Sequence, residues 1–339
     1  MIRAMASEKM GLGHLVRSAC LAGELQKCGL EIYGFWVNDR TLFERIHVGN
    51  IPRARVLTDG DTRQINELIA SGQIDCLLVD QAVDFSPQAL QLKSRNPQVL
   101  TVALDPPVLN SNAYDLIFSL FNHGTETRVD FVPERYFLGL DYALIRPQFT
   151  VADPSLIRKC VEHVLVSCGG TDPSRITLKT IESLAGVPRQ TWHLHIVIGS
   201  GFSHSEEVRR KASGFSWTHT LYENVQDMAE LMRLCDIGLI SPGATLMEMC
   251  ALGKPSITIA HNEQEVRFAR SFHTAGATHF LGEAAELETK NIADALLVLC
   301  NNLEERKLVA ERANCLVDGK GGGRIAQILL ERMAAVTHE

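Results

Sequence analysis

The chain is short of three things, and each shortage narrows what it does. It has no basic excess: 33 Lys and Arg stand against 40 Asp and Glu, for a formal net charge of −7. A general nucleic-acid binder displaces counterions with clustered cations, so the balance argues against that class. Any anionic ligand must be held locally, by loop amides and helix ends. Cysteine pairs at metal-ligand spacing are also missing. The nine cysteines are scattered, no CxxC occurs, and several sit in apolar runs such as DCLLVD and LMRLCDIGLI. That pattern predicts reduced, buried thiols in a cytoplasmic protein, with neither a disulfide framework nor a zinc site. Finally, no apolar run approaches the ~20 residues that span a bilayer. Glu8 and Lys9 fall where a secretory leader would be apolar. The expectation is a chain without signal peptide or integral membrane segment.

What is present is an alternation. EIYGFWVND, IDCLLVDQ and QVLTVALD read as buried strands in the first half, with TRQINELIASG between them at helical spacing. The second half repeats the rhythm: HVLVSCGG, TLKTIESLAG, LHIVIGSG, MAELMRLC, DIGLISPG, TLMEMCALG and PSITIAH. Continuous apolar strands alternating with helices imply parallel sheets covered on both faces. The 339 residues suit two domains at ~150 residues each, and the proline-containing 144–155 stretch suits a linker. The expected architecture is α/β, two doubly wound Rossmann-like domains over 1–150 and 151–339. The last helix is a candidate to pack back on the first domain. Ligands then belong at the carboxyl ends of the strands, in the cleft between domains.

Two loops of the second half are placed for a diphosphate. In VLVSCGGTDPSRIT, Gly169, Gly170 and Thr171 follow a strand, and paired glycines can turn tightly and point amides at phosphate. The alternative is an ordinary connection capped by Asp172 or Ser174. In DIGLISPGATLMEMCALGKP a strand ends at Ser241, and a helix starts near Ala244 or Thr245 and stops at Gly253. Gly243, Ala244 and Thr245 at that helix tip offer free amides and the positive dipole end. Glu248, one turn on, can accept both hydroxyls of a ribose; the alternative is a solvated helix glutamate.

In MASEKMGLGHLVRS, a short strand at Ile2 leads through a glycine turn to His14, which opens a helix with Leu15, Ala19, Ala22 and Leu25 inward. The helix dipole there disfavours an imidazolium, which leaves the ring available as a general base. The competing reading is a capping or packing histidine. Weaker candidates are TDGD, 58–61, which reads as an N-cap, and the HLH at His193 and His195, which lacks a third ligand for a metal. VDGKGGGRIAQILLE reads as a loop and a C-terminal helix, because no strand precedes its glycines.

Taken in order, MIRAMASEKMGLGHLVRSACLAGEL, FLGLDYALIRPQF, VLVSCGGTDPSRITLKTIESL, ISPGATLMEMCALGKPSI and VDGKGGGRI resemble the nucleotide-sugar hydrolases of pseudaminic acid biosynthesis (PseG). These are similar to SpsG-like proteins and to the MurG-type glycosyltransferases, which share a GT-B fold. The resemblance implies a UDP-sugar ligand, no cofactor and no metal. Gly243, Ala244 and Thr245 would hold the pyrophosphate and Glu248 the ribose. Residues of LYENVQDM, among them Asn224, Val225 and Met228, would flank the base. Asn262 and Gln264 in HNEQEVRFA match a segment near the diphosphate or sugar. Gly11, Gly13 and His14 match the G-x-G-H turn that faces the sugar, with the histidine as base for an attacking water, and Asp80 and Gln81 belong to that side.

The departures lie there too. Where the hydrolases carry Asp-His-Tyr, this chain has Asp80, Gln81 and Ala82. Their RADAS reads RAMAS, and an Asp-Asp reads Asp105-Pro106. Three readings stand: a UDP-sugar hydrolase, a glycosyltransferase with His14 activating an acceptor hydroxyl, and a catalytically silent nucleotide-sugar-binding homologue.

Overall fold

The computed structural model describes residues 1–6, 13–45, 55–107, 110, 112–120, 132–150, 157–223, 225 and 227–336. The chain divides into two units, one formed by Met1–Arg146 with Gly319–Glu339, the other by Pro147–Asp318. Among the described residues no helix is long and apolar enough to cross a membrane.

The first unit is built on β1 (Ile2–Ala4), β2 (Gly34–Val37), β3 (Arg55–Thr58), β4 (Cys76–Asp80), β5 (Leu100–Leu104), β6 (Leu116–Ser119) and β7 (Tyr136–Leu138). They form one parallel sheet in the order β3-β2-β1-β4-β5-β6-β7. The central strands are apolar throughout because both faces are covered. In β4, Leu78 enters one core layer, while Leu77 and Val79 enter the other. The helix Gly13–Lys27 turns Leu15, Leu21, Ala22 and Leu25 into the first layer, joined by Ile325, Ala326 and Leu329 of the helix Gly321–Val336. Each buried leucine contributes roughly 1.5–3 kcal/mol relative to exposure.

The second unit carries β8 (His163–Ser167), β9 (His193–Ile198), β10 (His219–Glu223), β11 (Ile237–Ile240), β12 (Ser256–Ala260) and β13 (His279–Glu283), again parallel, in the order β10-β9-β8-β11-β12-β13. Its core joins Val164, Val166, Leu194, Ile196 and Leu239 to Ile181 and Leu184 of the helix Ile176–Ala185 and Leu296 of the helix Lys290–Asn301. In each unit the chain winds outward from its first strand, then returns to pair on that strand's other side: β1 lies between β2 and β4, and β8 between β9 and β11. At such a switch point neighbouring loops diverge, which opens a crevice at the carboxyl ends of the strands.

The HLH pair gains a neighbour that spacing alone does not reveal, since β8 sets His163 directly beside His193. His163 Nδ1 lies 3.0 Å from His195 Nε2, and His195 Nδ1 lies 2.9 Å from the Tyr222 hydroxyl. His193 Nε2 is 2.7 Å from Thr220 Oγ1. The rings thus spend their nitrogens on one another and on hydroxyls. Among the described residues no group of His, Cys, Asp and Glu is placed to hold a metal ion. Burial, reinforced by His193 and His163, pulls the His195 ring down to about 4; burial, then His163 and His219, lowers His193. An unfolded chain takes up protons here below ~6.5 that the folded rings refuse. The stability these neutral rings contribute is therefore full above about pH 6.5 and lost as pH falls towards about 4. In urea unfolding over that range, His195→Gln is expected to flatten the acid-side loss of stability. An unchanged slope would show that His195 does not carry it.

Candidate functional site

Among the described residues, the switch point of the first unit gathers four charged or titratable side chains. Parallel pairing puts Ala4 opposite Asp80, the last residue of β4. His14, Arg17 and Ser18 are spaced i, i+3, i+4 on the helix that follows β1, so they share one face and meet at the Asp80 carboxylate. Oδ1 of Asp80 accepts from His14 Nδ1 at 2.6 Å and from Arg17 Nε at 3.0 Å and Nη2. Its Oδ2 accepts from Arg17 Nε at 2.8 Å and Ser18 Oγ at 2.9 Å. Arg17 Nη1 donates onward to Asp105 Oδ2 at 2.8 Å, and Asp105 Oδ1 accepts from Leu120 N at 2.7 Å. Asp105 has φ 42, a left-handed backbone that costs a non-glycine residue about 1–2 kcal/mol. Its two side-chain partners hold it there.

Asp80 is completely buried. Burial works to raise its pKa, but the Arg17 charge and the hydrogen bonds from His14 and Arg17 outweigh this, and the carboxyl sits below the usual carboxylate range. Burial likewise works to lower the Arg17 pKa, and Asp80 and Asp105 raise it instead. Both groups stay ionised. An ionised carboxylate against Nδ1 keeps a proton on that nitrogen of the neutral ring, which leaves Nε2 as the lone-pair nitrogen. The His14 side chain is 20% exposed, so the ring is within reach of a ligand. From the sequence the helix dipole alone favoured a neutral base; the structure adds a carboxylate that selects the tautomer.

Gln81 faces the other side of the sheet. Arg3 Nε donates to its Oε1 at 3.0 Å, and its Nε2 donates to Val83 O at 2.8 Å. The same Arg3 donates to both Asp59 oxygens, at 2.6 and 3.3 Å, and lies 4.6 Å from the Trp36 ring centre. TDGD supplies the expected N-cap position but not the capping bond. Asp61 occupies the N-cap position of the helix Thr62–Ala70, but its carboxylate accepts from Thr58 N and Oγ1 instead of a helix amide. Gly13 opens the His14 helix; Gly11 lies outside the described residues.

The two loops of the second unit enter their helices differently, one with a side-chain cap and one without. After β8, Asp172 is buried, and its two oxygens accept from Ile176 N at 2.7 Å and Thr177 N at 2.9 Å. That carboxylate closes the tip of the helix Ile176–Ala185, while Ser174 Oγ donates to His261 O. After β11, the helix Ala244–Ala251 starts at Gly243 with φ 125 and no side-chain cap. Ala244 is exposed and Thr245 half-buried, so no side chain closes this tip. Ser241 N donates to Ser167 O at 3.3 Å, which joins the two loops. Glu248 is 7% exposed, so it is not the solvated glutamate of the alternative reading.

Gly169, Gly170 and Thr171 sit beside a loop that spacing did not single out, the G-S-G after β9. A Cβ on Gly199 would lie 2.4 Å from Gly170 O, and Gly201 N donates to that oxygen at 2.9 Å. A paired glycine after an apolar strand is the signal that would have found it. His261 Nε2 donates to Cys168 O at 3.1 Å, bracing the same loop from β12. Asn262 Oδ1 accepts from Glu265 N at 3.0 Å, capping the helix Glu263–Thr274, and Gln264 is exposed on its first turn. Val225 is half-buried, Met228 begins the helix Met228–Leu234, and Asn224 lies outside the described residues. Gly199→Ala is expected to cost about 2 kcal/mol or more in urea unfolding, because backbone must move. Gly170→Ala, with open space at its Cβ, should stay within about 0.5 kcal/mol. Equal losses would show that close approach is not what requires Gly199.

Residues 163–318 match the family described as "Glycosyltransferase family 28 C-terminal domain". The chain is 25% identical over 336 residues to the spore coat polysaccharide biosynthesis protein SpsG of Bacillus subtilis, covering 94% of each chain. It is 28% identical over 272 residues to the uncharacterized protein MJ1062 of Methanocaldococcus jannaschii, covering 76% of this chain but 54% of that relative. Among solved structures, MurG of Acinetobacter baumannii superposes with a TM-score of 0.69 at 13% identity, over 97% of this chain and 99% of that one. The fold is that of the GT-B proteins, two Rossmann-like units each built on a parallel sheet.

Proposed function

We propose that the protein is a nucleotide-sugar hydrolase that splits a UDP-sugar into UDP and the free sugar. The observation that carries this reading is the His14–Asp80 pair, a histidine whose tautomer is set by a buried carboxylate, as a general base requires. His14 Nε2 takes a proton from water, and the water oxygen bonds to the anomeric carbon. The bond from that carbon to the diphosphate oxygen breaks, and its electron pair leaves with UDP. The amides at Gly243, Ala244 and Thr245 take the leaving group's charge, and Glu248 takes the ribose hydroxyls. The ordered motifs shared with the nucleotide-sugar hydrolases support the substrate class. Likeness to SpsG supports a place in surface polysaccharide biosynthesis, and the resemblance to the pseudaminic acid hydrolases supports nonulosonic acid biosynthesis as that place.

A second reading, transfer of the sugar to an acceptor hydroxyl, is favoured by the glycosyltransferase family match over 163–318. The same base and leaving-group site would serve it. Incubation with a panel of UDP-sugars is expected to release UDP without an acceptor, and His14→Ala should slow release about 100-fold or more. UDP release only with an added acceptor would replace hydrolysis by transfer, and binding without turnover would leave a silent homologue. Glu248→Ala is expected to weaken UDP about tenfold by calorimetry, the loss of one good hydrogen-bonding group. Unchanged affinity would remove Glu248 from the ribose.

A further inference from the structure

We propose that Arg17 and Asp105 are positioning residues that set the charge against which His14 works, so that the Asp80–Arg17–Asp105 group carries one negative charge in excess until the ring takes a proton. This rests on the reading of His14 as the base.

Among the described residues, the charged groups facing the ring are Asp80 from β4 and Arg17 from its own helix, whose Nη2 lies 3.1 Å from His14 Nδ1. Asp105, following β5, stands one step behind on the far side of the guanidinium. The helix N-terminus adds its positive end. Arg17 is shared: Nε and Nη2 serve Asp80, and Nη1 serves Asp105.

Were Asp80 and Arg17 alone, they would cancel, and a proton arriving on His14 would create net positive charge in a mostly desolvated place. Their side chains are 0% and 23% exposed, so the cost would be felt. The second carboxylate changes the balance. Among the described residues, two carboxylates against one guanidinium leave one negative charge while the ring is neutral and none once it is imidazolium. The proton that His14 removes from water thus completes the charge balance around it. The left-handed backbone of Asp105 serves the same end, since it lets one carboxylate reach Arg17 and Leu120 N together.

A structural role alone, pinning the ends of β5 and β6, would affect stability without moving proton affinity. Asp105→Asn keeps an oxygen for Leu120 N and removes the charge. Arg17→Gln removes the opposite charge, and Arg17→Lys restores it. Two readouts are needed. The first is the acid limb of kcat/KM for UDP release. The second is the NMR titration of the His14 ring without substrate, its signals assigned by their loss in His14→Gln.

Asp105→Asn is expected to move both midpoints to lower pH by about half a unit, and Arg17→Gln to higher pH by about one unit, with Arg17→Lys near the parent. If Arg17→Gln fails to fold, the Asp105→Asn arm decides alone. Folded variants whose His14 midpoint stays with the parent would overturn the proposal. Ring midpoints that move as expected, in a protein that releases no UDP from any UDP-sugar, would uphold the charge setting and overturn the hydrolase reading instead.

Discussion

A carboxylate withdrawn completely from water must either be protonated or be met by enough donors to replace its hydration. Asp80 is in that position, at the end of a central strand with aliphatic layers on both sides of the sheet. The requirement propagates outward from it. Arg17 must lie on the first helix within reach, Ser18 supplies a further donor, and the remaining acceptor capacity faces His14. Arg17 in turn needs a partner for its third nitrogen, and Asp105 meets it at a backbone angle few non-glycine residues adopt. One buried charge thus organises the ends of β1, β4, β5 and β6.

The two units share a topological device and line it with different groups. Each returns its chain to the far side of its first strand, and each has loops diverging at that point. In the first, the crevice is lined by ionised side chains locked to one another. In the second, backbone dominates: one helix tip is closed by Asp172, a neighbouring tip is left open at Gly243, and glycine loops approach to hydrogen-bond distance. Side chains suit proton transfer because their basicity can be tuned. Under the proposed reading, fixed amides would take the diphosphate, because they cost nothing to reorganise.

The parallel architecture was legible because central strands buried on both faces are written as unbroken apolar runs. The strands not read in advance are mostly the outer ones. β3, β7, β10 and β13 lie at sheet edges and are only partly buried, so their sequences carry no such run. β6, a short LIFS, is the exception, too brief to register beside its longer neighbours. At the candidate site, His14 and the Gly243 tip were visible from local grammar. Arg17 and Asp105 were not visible as partners. Their meaning lies in a contact across 88 positions of sequence, and periodicity reports only what one element does. Gln81 shows the converse. The residue after Asp80 looked like part of the same site, yet alternation along the strand sends it to the opposite face and to Arg3.

The return of the C-terminal helix to the first unit has a consequence in time. Ile325, Ala326 and Leu329 belong to the same core layer as Leu15 and Leu25, some 300 positions earlier. A ribosome delivers the chain from its N-terminus, so residues 147–318 are all made before that layer can close. The unit begun first is finished last. During synthesis its central sheet waits with one apolar layer incomplete, while the intervening unit already holds every residue of its own core.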